Sequence, residues 1–186
     1  MNVARSTRPD RPPRRVISVK PSPLDPRRAH LRFGPVTVEA ALGKGAISAF
    51  KREGDGATPL GDLAVLSGFR KGGSLTAAPS AVALRGVGEF DDWGDAPAHG
   101  AYNRPVRLPF PASHETLLRA DRLYDFVLVL DWNIRSRRRG KGSAIFLHVA
   151  RPGYQPTEGC IALKRRDLIR LLPYLRKGTV FRVSRN

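Results

Sequence analysis

The chain has 186 residues, enough for one domain with a substantial core. Apolar residues make up 41%, and 33 basic residues against 16 acidic ones give a net charge of +17. This composition excludes collagen-like, coiled-coil and wholly disordered chains, the single cysteine excludes an internal disulfide framework, and no apolar run approaches a membrane span.

Residues 1–32 combine nine Lys/Arg and two Asp with Pro9, Pro12, Pro13, Pro21, Pro23 and Pro26. Charge and proline together oppose packing and predict a flexible basic arm over 1–32. Within it only Val16–Val19 has the makings of a short edge strand. Such an arm suits an anionic surface, or is a solvated tail. Arg14-Arg15 closes a basic stretch, but no apolar segment of signal-peptide length follows, so no secretory signal is recognisable.

From residue 33 to 186 the pattern is that of one mainly β domain with one or two helices. Val36–Ala40 alternates with period two after the Gly34-Pro35 break. Residues 44–61 are turn-rich. Leu63–Leu66 is an apolar run, and Leu75–Arg85 predicts one or two strands broken by Pro79. Residues 86–111 read as a long irregular loop carrying Asp91, Asp92, Trp93, His99, Tyr102 and Asn103. Ser113 fits the cap of a short helix reaching Ala120. Phe126–Leu130 is uniformly apolar and predicts a strand buried on both faces. Ala144–Val149 is the next strand. Leu168, Leu171, Leu172 and Leu175 form a helical stripe within Arg166–Lys177, with Pro173 placed to kink it. Thr179–Val183 closes the chain as a strand.

Arg135, Arg137, Arg138, Arg139 and Lys141 form a second basic cluster. Nucleic-acid binding wants aromatics interleaved with such charge, and only Trp132 is near. No specific nucleic-acid partner is expected, although a non-catalytic basic binding module is the competing class. His99 and the aspartates match no metal-ligand spacing, so no metal is expected.

The residues that carry chemistry are His148, within Ile145–Val149, and Cys160, within Pro156–Leu163. An imidazole near a thiol can take its proton and make a nucleophile of the sulfur. A strand ending near His148, a loop through Arg151–Tyr154 and a return to Cys160 would bring the two together. Gly159 leaves the backbone beside the sulfur uncrowded, and its amide with that of Cys160 could form an oxyanion hole. A lone Cys and a strand His are also common as packed core residues.

Thr157-Glu158-Gly159-Cys160-Ile161 with His148 upstream, and Thr58-Pro59-Leu60-Gly61 earlier, resemble the motifs of the L,D-transpeptidase catalytic domain, the YkuD family. The resemblance runs from about Phe33 to Val183. It implies a β-sandwich single domain over 33–186 and acyl transfer on peptidoglycan stem peptides containing diaminopimelate. Cys160 would be the nucleophile, His148 the general base and acid, and the Gly159 amide an oxyanion donor. Thr157 would shape the pocket, with Trp93, Tyr102, Asn103 and Tyr154 as candidate substrate contacts. The resemblance further implies a 3-3 crosslink by default, with a 1-3 link or hydrolysis as alternatives. No cofactor is implied. Carbapenem β-lactams would be covalent inhibitors, the setting would be the cell envelope or periplasm, and a monomer is expected. Two departures stand out. Ala162 occupies the place where many members carry Arg, leaving Lys164 as a candidate cation, and the His148–Cys160 spacing is short.

Overall fold

The computed structural model describes residues 15–72 and 78–185. In chain order the strands are β1 (Val16–Pro21), β2 (Arg28–Phe33), β3 (Val36–Ala41), β4 (Ile47–Ser48), β5 (Thr58–Pro59), β6 (Gly61–Arg70) and β7 (Leu84–Gly86). There follow β8 (Asp91–Gly94), β9 (Arg104–Arg107), β10 (His114–Thr116), β11 (Phe126–Leu130), β12 (Phe146–Val149), β13 (Ile161–Leu163) and β14 (Val180–Val183). One α-helix, α1 (Arg165–Leu171), continues into a 3-10 turn at Leu172–Tyr174. Pro173 sits in that turn, where its missing amide hydrogen ends the α-helical ladder. The domain is therefore mainly β with one helix.

The main sheet runs β11-β12-β13-β3-β2-β1-β14-β6-β7. Ten-residue β6 pairs with β14 through its first half and with β11 through its second, so the sheet returns on itself. Its inner face encloses one core. Ile17, Val19, Leu31, Leu63, Leu128 and Phe181 point there, and the Leu168, Leu171, Leu172 and Leu175 stripe packs against them. The other face of β11 and β12 carries a second cluster of Val127, Val129, Phe146, Trp93, Leu117, Tyr124 and Cys160. β11 is apolar throughout because alternate residues enter two different cores.

Two expectations are corrected here. The basic arm predicted over 1–32 gives way at Val16. β1 lies between β2 and β14 within the sheet, not at an edge, with Ile17 and Val19 fully buried. Alternation at Ile17/Val19 and Ala29/Leu31 outweighs the surrounding charge and proline, since each apolar pair faces the core while its charged neighbours face solvent. Residues 1–14 lie outside the described residues. The helix expected at 113–120 is instead β10, antiparallel to β8.

The loop read over 86–111 holds β8 and β9, which with β10 form a small sheet in the order β10-β8-β9. All four residues of β8 are buried, two of them aspartates. Asp91 accepts from the Gly88 amide (2.9 Å) and from Arg107 (2.8 Å), and Asp92 accepts from the Leu117 amide (3.0 Å). The start of the strand expected from Leu75 falls in residues 73–77, outside the described residues.

Candidate active site

β12 and β13 are parallel neighbours with His148 opposite Ala162 and Leu147 opposite Ile161. Leu147, Val149, Ile161 and Leu163 enter the main core. Side chains alternate across a strand, so Phe146 and His148 face the opposite side, and Cys160 and Ala162 face it from the neighbouring strand. The sheet thus brings the Cys160 thiol and the His148 imidazole to one surface. Cys160 is 7% exposed and His148 6%. Both line a cleft of about 240 Å³.

The His148 Nδ1 lies 2.9 Å from the Val149 carbonyl oxygen. A carbonyl only accepts, so this contact fixes the proton on Nδ1 and leaves the Nε2 lone pair free. The Tyr124 ring meets the imidazole edge to face at 5.2 Å. The Cys160 thiol donates to Ala144 O (3.2 Å) and accepts from the Phe146 amide (3.3 Å). Neither hydrogen bond joins the thiol to the imidazole. Burial pushes the thiol up to about 12, only partly offset by the Phe146 amide. Burial pushes His148 down to about 4, against the opposing effect of its carbonyl contact. At neutral pH the resting pair is an uncharged thiol beside an uncharged imidazole.

The segment carrying Cys160 is held by its own threonine. Thr157 Oγ1 donates to Cys160 O (2.7 Å) and accepts the Gly159 amide (3.1 Å). This corrects the oxyanion assignment, because the Gly159 N–H is already engaged. The Cys160 amide, without a protein partner among the described residues, is the donor left for an oxyanion. Gly159 has φ +130°, and a Cβ there would lie 2.8 Å from Ala57 O.

Gly43 presses against the same turn. A Cβ on it would fall 2.9 Å from the Gly159 Cα. The Gly43 amide donates to Thr58 Oγ1 (2.8 Å), and Gly43 bridges to Thr157. Thr58, fully buried in the Thr-Pro-x-Gly segment, therefore seats the cysteine turn from behind.

Of the five candidate substrate contacts, the structure brings Thr157 alone to the cleft wall. Asn103 is buried behind it, accepting from Trp93 Nε1 (3.1 Å) and the Ala144 amide (3.1 Å) and donating to Trp132 O (3.0 Å). Trp93 packs its edge on Phe146 at 5.3 Å. Tyr102 donates its hydroxyl to Glu53, which also accepts from Ser143 Oγ (2.8 Å). Burial, and then that carboxylate, raise the Tyr102 pKa. These three residues are corrected from ligand contacts to supports of Ser143 and Ala144, hence of the thiol. Their polar tips are consumed inside the protein. Tyr154 packs on Ala41 and Ala162, away from the cleft.

The cleft also holds Glu53, Glu115 and Arg151, and with them Arg119 and Tyr124, which sequence reasoning passed over. Tyr124 donates to Glu115 Oε1 (2.8 Å), and Arg119 lies over the Tyr124 ring at 5.2 Å. Burial raises the Glu115 pKa. The basic excess of the chain concealed the carboxylates. Position gave one usable signal, since Arg151 follows the strand of His148 by two residues.

The YkuD family profile, the L,D-transpeptidase catalytic domain, matches residues 30–183. The chain belongs to this family. No curated protein and no solved structure matches it. Family members are in general cell-envelope enzymes acting on peptidoglycan stem peptides, and among the described residues no helix is long and apolar enough to cross a membrane.

The departures at Ala162 and Lys164 acquire a structural basis. Ala162 is fully buried, with Tyr154 packed on it. Lys164 stacks on the Tyr154 ring at 4.9 Å and Arg28 at 5.5 Å, so Lys164 does not supply the cleft with a cation. Arg119 and Arg151 line the cleft instead. The short His148–Cys160 connection turns through Gly153 and Tyr154, both at positive φ, and Arg28 pins it by donating to Gly153 O (2.6 Å).

Proposed function

We propose that this YkuD protein is a peptidoglycan L,D-transpeptidase of the cell envelope, joining stem peptides through a thioester on Cys160. The observation that carries the reading is the shared cleft of Cys160 and His148, with His148 Nε2 left unprotonated by the Nδ1 contact to Val149. The sulfur attacks the carbonyl of the diamino acid in a donor stem while its proton moves to Nε2. The neutral resting pair favours this coupled transfer over a preformed ion pair. The Cys160 amide donates a hydrogen bond to the developing oxyanion. As the carbon–nitrogen bond breaks, the imidazolium returns the proton to the departing D-Ala amine. The thioester then passes its acyl group to an acceptor amine, with His148 again taking a proton. A 3-3 crosslink between diaminopimelate residues follows from the family default.

Incubation with a disaccharide tetrapeptide tests the first half. The intact mass is expected to rise by the donor less D-Ala, with the adduct mapping to Cys160. A carbapenem is expected to leave one adduct on the same residue. No donor adduct on a folded protein would overturn the proposal.

A further inference from the structure

The cleft is charged in a way the chain as a whole is not. Against a net charge of +17, its wall carries Glu53, Asp95, Glu115 and Glu158 beside Arg119 and Arg151. Most of these have partners. Glu53 accepts two hydroxyls, Glu158 pairs with Lys44 (2.8 Å), and Arg119 holds Asp121 (2.8 Å).

Two opposite charges remain available. Arg151 is exposed at the rim; its carbonyl accepts from the Tyr154 amide (3.0 Å), and its guanidinium has no hydrogen-bond or ion-pair partner among the described residues. Its field reaches His148 and Asp121, but Asp121 is already clasped by Arg119. Glu115 commits Oε1 to the Tyr124 hydroxyl and to a long Arg119 contact of 3.5 Å, and its Oε2 has no hydrogen-bond partner among the described residues. In the same wall, Asp95 Oδ1 is buried without a hydrogen-bond partner among the described residues. A desolvated carboxylate gains most from a cation brought by the ligand, and a guanidinium fork matches a carboxylate.

We propose that Arg151 and Glu115 are the two poles of an acceptor subsite selecting a zwitterionic α-amino-acid group, its carboxylate on Arg151 and its ammonium on Glu115. This rests on the transpeptidase reading and names what resolves the thioester. The ammonium gives one proton to the Glu115 carboxylate. The resulting amine attacks the thioester carbonyl, the nitrogen–carbon bond forms and the carbon–sulfur bond breaks. The amine's second proton passes through His148 to the departing sulfur, and Glu115 returns its proton to water. A diamino acid whose side chain ends in such a zwitterion is selected over a plain amine, and an amine over water.

The test uses the full chain acylated with a tetrapeptide donor. It is offered a free D-amino acid, the corresponding D-amino amide, or neither. Mass spectrometry reads the acid-to-amide product ratio and the transfer-to-hydrolysis partition. Native protein is expected to favour the acid by about tenfold or more, the scale of one charge-assisted contact. Arg151→Gln is expected to bring that ratio toward unity and Arg151→Lys to restore part of it. Lys177→Gln, which removes an exposed charge outside the cleft, is expected to keep the native ratio. Glu115→Gln is expected to shift partition toward hydrolysis by about tenfold with either amine.

Each ratio is internal to one sample, so slower acylation by a variant does not mask it. An unchanged acid preference in Arg151→Gln overturns the subsite, as does unchanged partition in Glu115→Gln. If the native protein forms no thioester, the transpeptidase reading falls and this inference with it. A thioester resolved with unchanged ratios sinks this inference alone.

Discussion

Alkylation of Cys160 across pH reports directly on the neutral resting pair. With the thiol held at about 12 against an ordinary 9.0, the thiolate fraction at pH 8 is lowered by about a thousandfold. Iodoacetamide reacts with thiolate, so its rate follows that fraction. The rate at pH 8 is expected to be roughly a thousandfold or more below that of an unfolded control peptide spanning Cys160. It is further expected to climb about tenfold per pH unit from pH 6 to 9, with no plateau. The slope is the stronger reading, because burial slows alkylation sterically without altering it. His148→Gln is expected to leave the slope in place, since an imidazole uncharged above about pH 4 gives the thiol no electrostatic help. A plateau with a midpoint below pH 8, abolished by His148→Gln, would refute this and establish a thiolate–imidazolium pair.

Three further outcomes follow from the same geometry. His148 binds its proton at about 4 when folded, against 6.5 in a free chain, so its contribution is intact above pH 6.5 and is lost as pH falls toward 4. The loss reaches about 3 kcal/mol, and urea unfolding at stepped pH is expected to show His148→Gln less acid-sensitive than the native protein; parallel acid limbs would contradict it. Gly159→Ala forces a Cβ against Ala57 O at φ +130°, a strain of about 1–3 kcal/mol, and is expected to lower donor acylation by about a hundredfold through displacement of the cysteine turn; near-native acylation would show the turn to be adaptable. Asn103→Ala removes three buried hydrogen bonds at φ +55°, and is expected to cost about 3 kcal/mol, a fall in Tm of roughly 6–12 °C by calorimetry. A fall under a degree would mean that the support behind Ala144 is redundant.

The contrast between what the sequence disclosed and what it hid has physical causes. Phe126–Leu130 was legible because burial on two faces leaves no polar position, and the Leu168–Leu175 stripe because one helix face meets one core. The cysteine and histidine were legible because their chemistry is scarce. β8 was not, since its interior places are filled by Asp91 and Asp92, whose partners lie in other segments. Trp93, Tyr102 and Asn103 stand out in the sequence as a group, but they lie behind the cleft wall and support it. Residue type cannot reveal that their polar atoms are satisfied internally. Glu115 and Arg119 sit around β10, a three-residue strand too short for a periodic signal, and only the pairing with β8 carries them to the cleft.

The measurement that decides most is incubation of the purified protein with diaminopimelate-containing muropeptides of defined stem length, read by tandem mass spectrometry beside Cys160→Ala. Dimers that appear with native protein, vanish with Cys160→Ala and fragment to a diaminopimelate–diaminopimelate bond are the expected result. Absence of any Cys160-dependent product on every stem, from protein verified as folded, would contradict a thioester-forming transpeptidase. Trimmed monomers alone would make it a peptidase of the same stems.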